Sequence, residues 1–293
     1  MSLASSSAPA RRTARASRSA RGEPAWLRRT LIGLALVVVG LLLVLPLFTV
    51  FYEALRFGVE RYGAAILEPD ALKAIGLTLT VIAFAVPLNT LFGIAAAWLI
   101  AKFEFPGRSL LTALIDLPLA VSPVVAGLVF VLLFGRQGVF GGWLAAWDLK
   151  IIFATPGMVL ATSFVTFAFV ARELLPVLQS LGREEEEAAV SLGARGWQVW
   201  RFVTLPNIRW GLLYGVIMCN ARAMGEFGAV SVVSGKIRGL TTTVPLHVEM
   251  LYNEYNTVAA FAVASLLAGL ALVTLVVKAL LEARNRSTAQ EHL

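Results

Sequence analysis

Arg222 and Glu226 are two charges four residues apart inside an apolar block that runs over residues 208–234. On a helix that spacing puts both on one face, and each alone would cost a few kcal/mol against lipid. Two readings fit. The pair is a static tie between helices, or the guanidinium borders the path of an anion while the carboxylate holds its fork in place. Asn89 and Ser122 are further polar residues in apolar blocks, and Gly225 precedes Glu226 directly. Asn89, Ser122, Arg222, Gly225 and Glu226 are therefore the candidates for lining a polar path. For Asn89 a helix–helix hydrogen bond is the plainer alternative. Gly225 and Gly228 suit close packing or a flexible point, and Gly211 with Gly215 forms a small-xxx-small spacing that favours helix contact.

Other chemistries find no residues. A P-loop requires G-x-x-x-x-G-K-[ST], yet at Gly235-Lys236 the first glycine is replaced by Val230 and the hydroxyl residue by Ile237. No ATP is bound or hydrolysed by such a chain, so energy comes from a partner or an ion gradient. Two histidines and one cysteine make no credible metal cluster. Cys219 has no partner for an internal disulfide. The net charge of +7 lies beside hydrophobic blocks instead of forming a stripe with aromatics, which argues against nucleic acid.

The elements that must hold these residues are membrane helices. Apolar residues make up 58% of the chain and charged ones 15%, far from a soluble domain. Six blocks, at 31–52, 74–101, 109–134, 156–170 running on towards 178, 208–234 and 257–281, approach or exceed the roughly 20 residues that cross about 30 Å of hydrocarbon. The first block is too long for a signal-peptide core and has no A-x-A cleavage site. Arg172 and Glu173 interrupt the end of the fourth. Pro87, Pro118 and Pro123 fall inside blocks, where neighbouring helices must satisfy the carbonyls they free. With the N-terminus in the cytosol, 17 of the Lys and Arg residues fall on inner segments and 7 on outer ones. That bias puts both termini inside. Residues 1–29 carry seven arginines against Glu23 alone. They read as a disordered basic cytosolic tail, with an organellar transit peptide as the alternative.

One long segment, residues 183–206 (REEEEAAVSLGARGWQVWRFVTLP), is polar and amphipathic between apolar blocks. Glu184, Glu185, Glu186 and Glu187 suit the first turn of a helix, and Gly193 its left-handed C-terminus. A second short helix is expected over 195–203, ended by Leu205-Pro206-Asn207. Lying at the cytosolic surface, this helix–turn–helix is either an interfacial anchor or a docking surface.

The pattern Glu187-Ala188-Ala189, three residues, Gly193, nine residues, Val203, one residue, Leu205-Pro206 resembles the EAA motif of bacterial ABC-importer permeases. Val203 stands where isoleucine is usual. Residues 220–229 (NARAMGEFGA), 251–255 (LYNEY) with 259–265 (AAFAVAS), 116–123 (DLPLAVSP) and 87–93 (PLNTLFG) are similar to the sulfate, thiosulfate and molybdate group, and in particular to the second permease subunit of sulfate/thiosulfate importers. The likeness covers most of 74–275.

The resemblance implies an all-α membrane protein of six transmembrane helices in the bacterial inner membrane, with the coupling helix–turn–helix between helices 4 and 5. A tail over 1–29, a permease domain over 30–282 and a C-terminal tail over 283–293 follow from the blocks. The resemblance further implies coupling to an ATPase through Glu187, Ala188, Ala189, Gly193, Val203, Leu205 and Pro206. The implied partners are a second homologous permease, two copies of an ATP-binding subunit and a periplasmic sulfate-binding protein, with no cofactor in this chain. Molybdate or tungstate is the alternative cargo. An ion-coupled carrier would want inverted repeats and a free membrane carboxylate. A membrane scaffold would leave Arg222 and Glu226 unexplained.

Overall fold

The computed structural model describes residues 25–291, with side chains over 26–281. Most of the expected tail over 1–29 lies outside the described residues, and residues 25–29 already belong to a helix. Every regular element among the described residues is helical. The described residues divide into two compact units between Thr49 and Val50. Here α1 (Ala25–Val39) runs into a π turn (Gly40–Val44) and then into α2 (Leu45–Leu55), within which that boundary falls. Pro46 follows the π turn by two residues. A proline ring clashes with the carbonyl four residues back, and a wider turn ahead of it relieves that clash.

In the second unit α3 (Val59–Ile66) leads to α4 (Pro69–Lys102), which opens with proline at its first position and Asp70 in its first turn and closes on Lys102. Each choice complements the helix ends. Pro87 lies inside α4 without breaking it. Small residues let α4 approach its neighbours. A Cβ on Gly93 would stand 2.6 Å from the Val170 Cβ, and one on Gly215 would stand 3.0 Å from the Val170 Cα. Val170, fully buried, is thus the knob between two glycine notches on different helices. Gly211 meets Val177 in the same way, at 2.9 Å, so the Gly211/Gly215 spacing does mark a helix contact.

Among the described residues, five helices are long and apolar enough to cross a membrane, and six when one bent pair counts as a span. That pair is α5 (Arg108–Ala120) and α6 (Pro123–Phe134), which meet at 107°. The block over 109–134 is therefore no straight helix. Pro123 accounts for the bend, since the residue before proline is pushed out of the α region and Ser122 has ψ 130°, whereas Pro118 lies inside α5 without ending it. After α7 (Gly141–Ala146), α8 (Thr155–Thr166) and α9 (Ala168–Ser180) form one span over Thr155–Ser180.

Two further boundaries differ from expectation. The second helix of the amphipathic segment does not stop at Leu205-Pro206. Beyond α10 (Glu184–Ser191), α11 (Gly196–Val199) passes through a π turn (Trp200–Thr204) directly into α12 (Leu205–Met224), one span over Gly196–Met224. Pro206 again trails a π turn by two residues, and the wider turn accommodates its ring. The block over 208–234 is also not one helix: α12 ends at Met224, and α13 (Gly228–Val233) is separate. Then come α14 (Val244–Asn253), capped by Thr78 Oγ1 on the Val244 N–H at 2.9 Å, and α15 (Thr257–Glu291), which runs through most of the expected tail.

Candidate functional site

The break between α12 and α13 lies against the bend between α5 and α6. A Cβ on Gly228 would come within 2.8 Å of the Pro123 Cβ, and one on Gly127 within 2.8 Å of the Ala229 carbonyl oxygen. Gly127 is closely faced by backbone and Gly228 by the ring of Pro123, so neither position has room for a Cβ. Glu226 lies beyond the last residue of α12, so the expectation that it shares a helical face with Arg222 is corrected. The chain turns at Gly225 and still returns the carboxylate to its partner: Arg222 Nη1 lies 2.6 Å from Glu226 Oε2. That contact is an ion pair by distance without hydrogen-bond alignment. Glu226 Oε1 accepts from the Ala229 N–H at 3.0 Å, stitching the start of α13. The carboxylate is 1% exposed and the arginine side chain 35%, so only the cation is open to a passing ion.

The other path candidates separate. Ser122, exposed, occupies the N-cap position of α6 at the bend, and its side chain caps nothing. Gly225 is exposed, with open space where a Cβ would be. Asn89 is elsewhere: buried, it donates through Nδ2 to Thr166 Oγ1 at 2.7 Å and ties α4 to α8. This placement makes it a helix–helix tie and removes it from the path.

The polar segment folds into a helix–turn–helix outside the apolar spans, apart from its second helix, which leads into one. Gly193 has φ +88°, the left-handed conformation that glycine adopts without strain, and Gln198 Oε1 accepts from the Arg195 N–H at 2.8 Å to start α11. Glu187 and Ala188 are exposed, Ala189, Val203 and Leu205 half-buried, and Pro206 exposed. Around them stand Val190, Leu192, Trp197 and Phe202, with Leu192 90% exposed. Large apolar side chains standing free on a polar element mark a contact surface. A hollow of about 380 Å³ beside Gly193 is lined by Ala189, Leu192, Gly193, Val199, Phe202 and Val203. A larger one of about 930 Å³ opens between α10, α11 and the end of α4.

Residues 89–287 match the family described as binding-protein-dependent transport system inner membrane component. The chain belongs to that family. It is 56% identical over 255 residues to the sulfate transport system permease protein CysW of Synechocystis, covering 87% of this chain and 92% of that one. To CysW of Escherichia coli K12 it is 51% identical over 272 residues, covering 91% and 94%. CysT of the same strain, also a sulfate transport system permease protein, is 37% identical over 244 residues, covering 83% and 88%. A bacterial ABC transporter that imports alginate shares the fold, at TM-score 0.72 and 17% identity over 89% of this chain and 96% of that chain. The family is one of transport subunits, so this permease is a multi-span membrane protein and a component of an importer.

Some site residues carry no signal in the sequence. Lys102 counts there as a topology charge, yet it is 8% exposed and bonded to α10. Arg172 Nε donates to Asp116 Oδ1 at 2.7 Å, joining two apolar elements, although in the sequence Arg172 reads only as an interruption and Asp116 only as the start of 116–123. Neither pairing is visible as spacing, because the partners lie on distant segments.

Proposed function

We propose that this permease is the second membrane subunit of a sulfate importer in the bacterial inner membrane, with both termini and α10–α11 in the cytosol. The observation that carries the coupling part is the exposed face of α10–α11. Small and apolar residues stand free there, and the four glutamates that open α10 make that helix too polar to insert. Such a face takes a groove on an ATP-binding subunit, through Glu187, Ala188, Ala189, Gly193, Val203, Leu205 and Pro206. Sulfate as cargo is supported by the CysW relatives, and CysT supports a homologous permease as the other half of the pore. Two copies of the ATPase and a periplasmic binding protein complete the importer, with thiosulfate as a second oxyanion of like charge. ATP closes the ATPase pair, α10 moves with it, and the helices rock between two openings.

Arg222 is the residue of this chain most suited to the anion. Its guanidinium can pair a tetrahedral oxyanion through two donors, while Glu226 keeps it in place from the dry side. The test is uptake of labelled sulfate by cells lacking this chain and complemented with it, together with affinity purification in mild detergent. Restored uptake and a stoichiometric ATPase support the proposal. Purification without an ATPase, in cells that still take up sulfate, would refute it.

A further inference from the structure

The four glutamates that open α10 are not equivalent. Glu184 and Glu187 are exposed. Glu186 turns inward: its Oε2 lies 3.1 Å from Lys102 Nζ, and its Oε1 accepts from Thr204 Oγ1 at 2.7 Å. Glu185 accepts from the Asn207 amide on α12. Lys102 is the last residue of α4 and only 8% exposed. Its ammonium also donates to the Gly182 carbonyl, and Arg183 donates to the Lys102 carbonyl. A lysine that served only the helix dipole would keep its head in water. Here the head is withdrawn and held by two acceptors on the segment that opens α10, which is costly unless the partners stay in place.

The backbone around α10 makes these ties matter. The helix has eight residues and is flanked by Gly182 at φ +62° and Gly193 at φ +88°. Glycine at each end leaves a short helix free to swivel, so a push on it would be lost in the joints unless side chains lock it to something long. The 34-residue α4 and the π turn that leads into α12 are what it is locked to.

We propose that Lys102 is a positioning residue for coupling: with Glu186 and Thr204 it locks α10 to α4 and to the start of the span Gly196–Met224, so that a displacement of α10 reaches two membrane helices at once. This rests on the docking role of α10 proposed above. In the complete importer reconstituted in vesicles, Lys102→Met keeps its ATPase at the wild-type ratio and hydrolyses ATP, but moves about tenfold less labelled sulfate per ATP, within the usual range of coupling between sites. Lys102→Arg, which keeps the charge and donors, retains most of that ratio. Glu187→Lys, on the exposed face, instead lowers the amount of ATPase that co-purifies. If Lys102→Met transports the wild-type amount of sulfate per ATP while Glu187→Lys sheds the ATPase, the docking role stands and the role of Lys102 is overturned. If Glu187→Lys and Ala188→Arg both keep ATPase and transport, docking itself is lost and this proposal with it. Should Lys102→Met fail to assemble, the same ratio is read on Thr204→Val, which cuts only the link from Glu186 to the π turn. An unchanged ratio there overturns the proposal.

Discussion

Glu186 and Glu226 are both carboxylates drawn out of water beside a basic partner, and they are built to different ends. Glu186 gathers an ammonium from α4 and a hydroxyl from the π turn before α12, groups that the chain order keeps far apart. Glu226 takes its partners locally, from Arg222 just before the break and the Ala229 N–H just after it. A long-range cluster wires one element to others, whereas a local one sets the shape of a bend. The first kind should fail as lost communication with the fold intact. The second should fail first as lost stability.

The largest effect expected tests the second half of that contrast. Arg222→Ala leaves a carboxylate 1% exposed with no cation, a loss of about 3–5 kcal/mol for a buried pair broken on one side. Thermal unfolding of the purified chain measures it. Substituting both partners separates shape from transport. Because Glu226 also serves the Ala229 N–H, the informative pair is Arg222→Met with Glu226→Gln, whose amide oxygen can still accept that bond. Stability should largely return, assembly and ATP hydrolysis should persist, and sulfate uptake should stay low. Wild-type uptake would make Arg222 a packing residue and reduce the pair to its local role.

Next in size is Gly193→Val, on the communication side. A β-branched residue at φ +88° costs roughly 1–3 kcal/mol, and α10 can avoid it only by changing its angle to α11. Helical content by circular dichroism should hold while sulfate uptake falls to below about a tenth, the change in coupling expected from a few kcal/mol. A variant that loses helix and transport together would place Gly193 with the shape-setting residues. Smaller still, Asn89→Ala removes a buried neutral tie from Asn89 to Thr166. Interhelical hydrogen bonds of this kind contribute about 0.6–1.7 kcal/mol, so the melting temperature should drop modestly and the sulfate moved per ATP should not change.

How much of this was legible in the sequence follows the same division. The membrane class, the helix–turn–helix and the left-handed turn at Gly193 all rest on local patterns, namely apolar block length, an acidic first turn and a glycine at a helix end. The bend at Ser122 and the end of α12 at Met224 were not legible, because an apolar block reads the same whether its helix is straight or broken. Pro123 is visible in the sequence, but so are Pro87 and Pro118, which α4 and α5 absorb intact. What separates them is tertiary: α13 packs across the start of α6 with Gly127 and Gly228 at the contact. Arg222 and Glu226 read as a pair from helical spacing, and the structure pairs them through a turn instead. Lys102 was missed because its partners lie on another segment, and only the folded chain brings them together.

A third pair gives the scale for the other two. Arg238 and Glu254 join the connection before α14 to its end, outside the apolar spans, with side chains 38% and 53% exposed. The guanidinium holds the Glu254 carboxyl below its ordinary value, and the carboxylate raises Arg238 further. A carboxylate lowered in the folded chain stabilises above its unfolded value, and that contribution is lost as the pH falls through the folded one. His247 on α14 behaves differently: burial lowers its value, so its neutral form favours the folded state and stability drops once the pH passes below the ordinary histidine range. Wild type should therefore lose stability in two stages on acidification. Glu254→Gln should remove only the lower stage, so its melting temperature should lie slightly below wild type at pH 7 and converge with it in acid. An exposed pair contributes little, and the gap at pH 7 should be far smaller than that for Arg222→Ala. A gap that persisted unchanged in acid would mean that Glu254 acts through packing, and exposure would then not be what ranks the three pairs.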